Sequence, residues 1–119
     1  MFDVAIHHNP SCSNSRGALA LIRERGIEPR VVEYLDAPLS ADGLRALVAR
    51  VGVPVRELMR AKEAVYAELG LDDPALTDDE LVAAIAAHPI LLNRPIVVTP
   101  LGARLCRPPE TVLEILPAA

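Results

Sequence analysis

No apolar run in the 119 residues approaches the roughly 20 that a membrane-spanning helix needs, so no membrane partner is expected. The opening Met1-Phe2-Asp3-Val4 has no basic stretch followed by an apolar segment, so no secretory signal is predicted. Cysteine is scarce, with Cys12 and Cys106 far apart in the chain. Two thiols without an export signal point to a reducing, cytoplasmic setting rather than to a disulfide framework. A surplus of positive charge is also missing. Twelve Lys+Arg against 16 Asp+Glu leave a net charge of −4, which argues against a general nucleic-acid-binding role.

Further absences narrow the chemistry. There is no Cys-x-x-Cys, so the chain has no internal two-thiol redox cycle; Cys12-Ser13-Asn14-Ser15 is a one-thiol version of it. Position 18 is alanine, which removes the Cys-x5-Arg loop of tyrosine phosphatases. Two distant cysteines and three histidines without paired spacing predict no metal site. Lysine is almost absent: every Lys or Arg except Lys62 is arginine. The arginine fork is the side chain best shaped for a tetrahedral oxyanion, so a local cluster suffices for an anionic ligand despite the acidic total.

What is present describes one soluble globular domain over residues 1–119, 51% hydrophobic and 24% charged. Val4 to His8 reads as a strand ending at Asn9-Pro10. Ala18, Leu21 and Ile22 give a helix over about Ser13 to Arg25, with Gly26 as its stop. Arg30 to Leu35 reads as a second strand, so the first third is a β-α-β crossover with parallel strands. Residues of about 38–88 form an inserted helical block. In it Ser40 caps one helix, Val55 to Met59 forms a short one, and Thr77-Asp78-Asp79-Glu80 is a capping box opening a helix that stops before Pro89. Ile96 to Thr99 and Ala103 to Cys106 flank a Pro/Gly turn as an antiparallel hairpin. Pro108-Pro109-Glu110 opens a last helix. The order β-α-β, helical block, β-β-α predicts an α/β, thioredoxin-like mixed sheet with a helical insertion.

Cys12 falls between the first strand and the first helix, where free backbone N–H groups and a partial positive charge favour a thiolate. An ordinary thiol of pKa near 8.5 is only about 3% ionised at pH 7, and lowering it by roughly two units takes about 2.7 kcal/mol. A helix terminus supplies at most about 2 kcal/mol, so neighbours must add to it. Ser15, one helical turn on, is placed for its hydroxyl to donate to the sulfur. His8, if protonated, adds a nearby cation. Arg94 and Arg107 each precede a proline at a strand end, Arg94 at the point where thioredoxin-like folds carry a cis-proline facing the reactive cysteine. Arg60 lies in the helical block. Cys106, on a strand, reads as a small buried apolar residue rather than a resolving thiol.

The residues resemble a known family, the glutaredoxin-coupled arsenate reductases. The likeness runs through His8-Asn9-Pro10 with Cys12, Ser15 and Arg16; Val55-Arg56-Glu57-Leu58 leading to Arg60; and Tyr66 with Glu68-Leu69-Gly70-Leu71. It continues in His88-Pro89-Ile90-Leu91, Asn93-Arg94-Pro95-Ile96, Thr99-Pro100-Leu101-Gly102, Leu105-Cys106-Arg107-Pro108 and Glu114-Ile115-Leu116-Pro117. One departure is Ala64, where a proline is usual. The resemblance implies a thioredoxin-like fold and reduction of arsenate to arsenite through a covalent thio-arsenate adduct on Cys12. It implies that Arg60, Arg94 and Arg107 bind the oxyanion and that His8 and Ser15 support the thiolate. It also implies no bound cofactor, glutathione as co-substrate and glutaredoxin as partner. Two readings compete: a monothiol glutaredoxin-like redox protein, which needs Cys12 but not all three arginines, and a thioredoxin-fold transcription regulator, whose relatives carry a Cys-x-x-Cys switch.

Overall fold

The computed structural model describes residues 3–117. The chain divides into two compact units: the residues up to Ala37 together with those from Arg94 onward, and the intervening Pro38–Asn93.

The first unit is a four-stranded mixed sheet with a helix. Its elements are β1 (Ala5–His7), α1 (Ser13–Glu24), β2 (Arg30–Val32), β3 (Ile96–Thr99) and β4 (Gly102–Leu105). A 3-10 helix over Pro109–Glu114 follows β4. The strand order is β2-β1-β3-β4. β1 runs parallel to β2, with Ile6 opposite Val31, and antiparallel to β3, with Ile6 opposite Val97. The β3–β4 pairing closes at Thr99 opposite Gly102. This is the expected mixed sheet, with three local differences. β2 stops at Val32, because the chain then turns, Asp36 and Ala37 both donating their N–H groups to Glu33 C=O. The hairpin has a shorter loop than expected, so β4 begins at Gly102 and Cys106 lies just past its end. The last helix is a 3-10 helix rather than an α-helix.

α1 buries Ser15, Ala18 and Ile22, a helical stripe laid on the sheet, and closes at Gly26 with φ of 77°. Val4, Ile6, Ala18, Ile22, Val97, Cys106, Val112 and Ile115 share one apolar cluster that joins sheet, α1 and the C-terminal 3-10 helix. Gly17 permits the tightest of these contacts: a Cβ there would meet Pro109 Cγ at 3.0 Å. That approach fixes the Arg107–Pro109 segment against the first turns of α1, and it is what brings residue 107 to residue 12.

The second unit is helical. It holds α2 (Ala41–Val51), α3 (Ala64–Glu68), α4 (Asp78–Ala87) and 3-10 helices at Val55–Leu58 and Pro89–Leu91. The short helix expected over Val55 to Met59 is therefore a 3-10 turn. Ser40 accepts from Gly43 N–H, and Thr77 and Glu80 form the capping box of α4. α2 packs on α4, with Leu44, Leu47, Leu81, Val82 and Ile85 buried. Arg56 ties the Leu71–Asp73 loop by donating to Tyr66 Oη at 3.2 Å, to Leu71 C=O at 2.7 Å and to Asp73 C=O. The backbone of residues 58–60 is zipped to that of 91–93 through Arg60 N–H to Leu91 C=O and Asn93 N–H to Leu58 C=O, both 2.8 Å.

Candidate active site

The loop from His8 to Cys12 is held by its own polar groups. His8 N–H donates to Val32 C=O, which extends the β1–β2 pairing by one residue. Asn9 then makes three bonds. Its side-chain oxygen accepts from Ser11 N–H at 2.9 Å, its carbonyl accepts from Cys12 N–H at 3.0 Å, and its N–H donates to Ser15 Oγ at 3.1 Å. Asn9 is a positioning residue that spacing did not single out; the signal is an Asn-Pro-Ser turn in which an Asx side chain closes the loop.

Cys12 is the N-cap of α1, and donors approach its sulfur from the helix start and from two arginines. Those donors are the backbone N–H groups of Asn14 and Ser15, the side chain of Arg94, and Arg107 Nη1 at 3.8 Å. Burial by itself pushes the Cys12 thiol up, the residue being 8% exposed, but the Ser15 N–H, Arg94 and the Asn14 N–H together outweigh it and hold the thiol below its usual range. Arg107 Nη1 also donates to Arg94 C=O at 2.9 Å, so one guanidinium nitrogen bridges the sulfur and the Arg94 backbone. The peptide bonds Arg94–Pro95 and Arg107–Pro108 are both cis; the second was not anticipated.

Two expectations are corrected. The Ser15 hydroxyl is engaged by His8 Nδ1 at 2.5 Å and by Asn9 N–H, and the serine supports the sulfur through its backbone N–H. His8 does not supply a cation: burial lowers its pKa first, Glu33 partly offsets this, and Arg23 and Arg16 lower it further, so the ring is neutral at pH 7. The positive charge beside the sulfur comes from arginine instead. The adjacent His7 is pushed down to about 4 by burial and by Arg30.

The described part of the first unit thus brings Cys12, His8, Ser15, Arg94 and Arg107 together. Arg60 belongs to the second unit, where its Nε donates to Glu63 Oε1 at 3.0 Å. Cys106 is wholly buried and its thiol is pushed up to about 12, by burial first and by Glu114 next, with Arg104 and the Val97 N–H opposing. Among the described residues no group of three or more His, Cys, Asp or Glu side chains could hold a metal ion, and no helix is long and apolar enough to cross a membrane. A thiol held below its usual range and flanked by two guanidinium groups and by helix-start N–H groups can, once ionised, attack an anionic electrophile bound beside it.

Comparison with known proteins adds to this geometry. The model of the ArsC family matches residues 7–115. A protein of Rhizobium meliloti (strain 1021) named arsenate reductase is 57% identical over 114 residues, covering 96% of this chain and 81% of that one. An Escherichia coli protein of the same name is 53% identical over 119 residues, covering 100% of this chain and 84% of its own. Among solved structures, that of an arsenate reductase from Vibrio cholerae superposes with a TM-score of 0.94 at 51% identity, covering 97% of this chain and 98% of that one.

Proposed function

The chain belongs to the ArsC family, and we propose that it reduces arsenate to arsenite with Cys12 as the nucleophile. The observation that carries this reading is the convergence of Arg94 and Arg107 on the Cys12 sulfur, whose thiol is held below its usual range. Two guanidinium groups spread the charge of an incoming arsenate dianion and so lower the repulsion met by a second anion, the thiolate. From the family resemblance alone we also propose Arg60 as a ligand of the oxyanion.

Cys12 attacks arsenic, an S–As bond forms, one As–O bond breaks, and that oxygen leaves as water after protonation. Glutathione then contributes the second thiol. Arsenic gains two electrons and the two sulfurs lose them. In sum, the Cys12 thiol, one glutathione thiol and one molecule of arsenic acid become a mixed disulfide, one molecule of arsenous acid and one water. Glutaredoxin clears the mixed disulfide by thiol exchange. The buried, protonated Cys106 is poorly suited to resolve it, which supports an external reductant and therefore a reducing, cytoplasmic setting. His8, with Ser15, holds the loop that carries Cys12.

The test is arsenate-dependent NADPH oxidation in the presence of glutathione, glutaredoxin and glutathione reductase. Turnover that requires all three and arsenate is expected. Disulfide reduction without any response to arsenate would return the chain to the monothiol redox class.

A further inference from the structure

The outer face of α1 carries a groove that the oxyanion chemistry does not use. It is lined by Pro10, Arg16, Leu19, Ala20, Arg23 and Glu24, with His8 also on its wall, and has a volume of about 670 Å³. Positions 16, 19, 20, 23 and 24 follow helical spacing and lie opposite the buried stripe of Ser15, Ala18 and Ile22. The volume lies within the range of small-molecule sites, about 300–1,000 Å³.

We propose that this groove is the subsite for the thiol tripeptide that completes the reduction, an extended ligand with two carboxylates and one ammonium group. The inference rests on the reductase reading above. Its argument is charge complementarity: two arginines and one glutamate around an apolar floor of Pro10, Leu19 and Ala20 match two carboxylates and one ammonium. Arg16 is pre-set by donating from Nη1 to Pro10 C=O at 2.8 Å, which leaves its other N–H groups available. Arg23 is paired with Glu28 through two 3.1 Å bonds. That pair is solvent-exposed, so it contributes little and exchanges readily for a ligand carboxylate. The groove starts beside the reactive loop: His8 and Pro10, which line it, precede Cys12 by four and two residues, so the ligand's thiol, carried on its central residue, is expected on that side.

The test has two arms. In the coupled assay at saturating arsenate and fixed glutaredoxin, Arg23→Glu and Ala20→Glu should each raise the KM for glutathione at least five-fold, while the KM for arsenate does not follow. Ala20 is exposed, so added bulk there does not disturb the core. In the second arm, S-methylglutathione, which cannot react, is titrated into the wild-type protein by NMR. It should shift the amides of residues 16–24, and Arg23→Glu should suppress those shifts. Wild-type turnover with an unchanged glutathione KM in both folded variants overturns the groove and leaves the reductase reading standing. A rise in the KM for glutaredoxin alone also overturns it, because the face would then dock a protein. Absence of wild-type turnover, with S-methylglutathione still shifting the α1 amides, separates the two ideas the other way.

Discussion

The two thiols of the first unit differ both in depth of burial and in what faces their sulfurs. Cys12 at the start of α1 is 8% exposed and Cys106 past the end of β4 is 0% exposed, and burial pushes both thiols up. Around Cys12 two helix-start N–H groups and the Arg94 guanidinium reverse that push, and Arg107 Nη1 adds a contact at 3.8 Å. Around Cys106 the neighbours are apolar, the S–H turns to Arg104 C=O at 3.6 Å, and the carboxylate of Glu114 adds to the penalty on a thiolate. Desolvation weighs more heavily on Cys106, and only Cys12 has donors enough to outweigh it, which is why the two thiols shift in opposite directions.

The largest effect that would break this contrast is loss of the reactive sulfur. Cys12→Ser should abolish arsenate turnover, by three orders of magnitude or more, because Cys106 cannot take its place; residual activity that disappears only in the double variant would show that it can. Next come the arginines. Arg94→Lys and Arg107→Lys each keep a charge but lose the fork, and each should lower kcat/KM for arsenate by about 10–100-fold, roughly 1.4–2.7 kcal/mol. A smaller change is expected in reactivity with pH. The alkylation rate of Cys12 by iodoacetamide follows the thiolate fraction, so it should climb as pH rises and level off at a lower pH than for free glutathione. Arg94→Lys should move that midpoint upward, and Cys106 should react only in denaturant. Smallest of all, Cys106→Ala should leave turnover unchanged and cost about 1 kcal/mol of stability, read as a lower Tm, since it removes one buried sulfur from a packed cluster.

Most of the architecture is legible because it rests on patterns with a single period. The Ala18 and Ile22 spacing, the Gly26 stop and the Thr77–Glu80 box each correspond to one local structure, and each is found. The choice between α- and 3-10 helix at Val55–Leu58 and Pro109–Glu114 is not legible, since prolines open both forms equally well and the last turn answers to packing. The site is legible to the level of residue identity and no further. Ser15 lies one turn from Cys12 in any reading, but whether its hydroxyl or its N–H meets the sulfur depends on Asn9 and His8, which compete for the hydroxyl. The charge of His8 depends on its burial and on Glu33, Arg23 and Arg16, and spacing along the chain carries no information about burial. The positioning role of Asn9 is not legible for a related reason: two of its three bonds are made by its backbone, on which the residue's name is silent.

Arg107 is tethered at one nitrogen to the Arg94 carbonyl as well as to the sulfur. In the proposed cycle the sulfur passes from anion to arsenic ester to mixed disulfide and loses its charge at the first step. A guanidinium held by that charge alone would drift off each time and would have to be recaptured. Moored to a main-chain oxygen whose partial charge never changes, Arg107 keeps its station through the neutral stages, and the next thiolate emerges into a cradle that is already set.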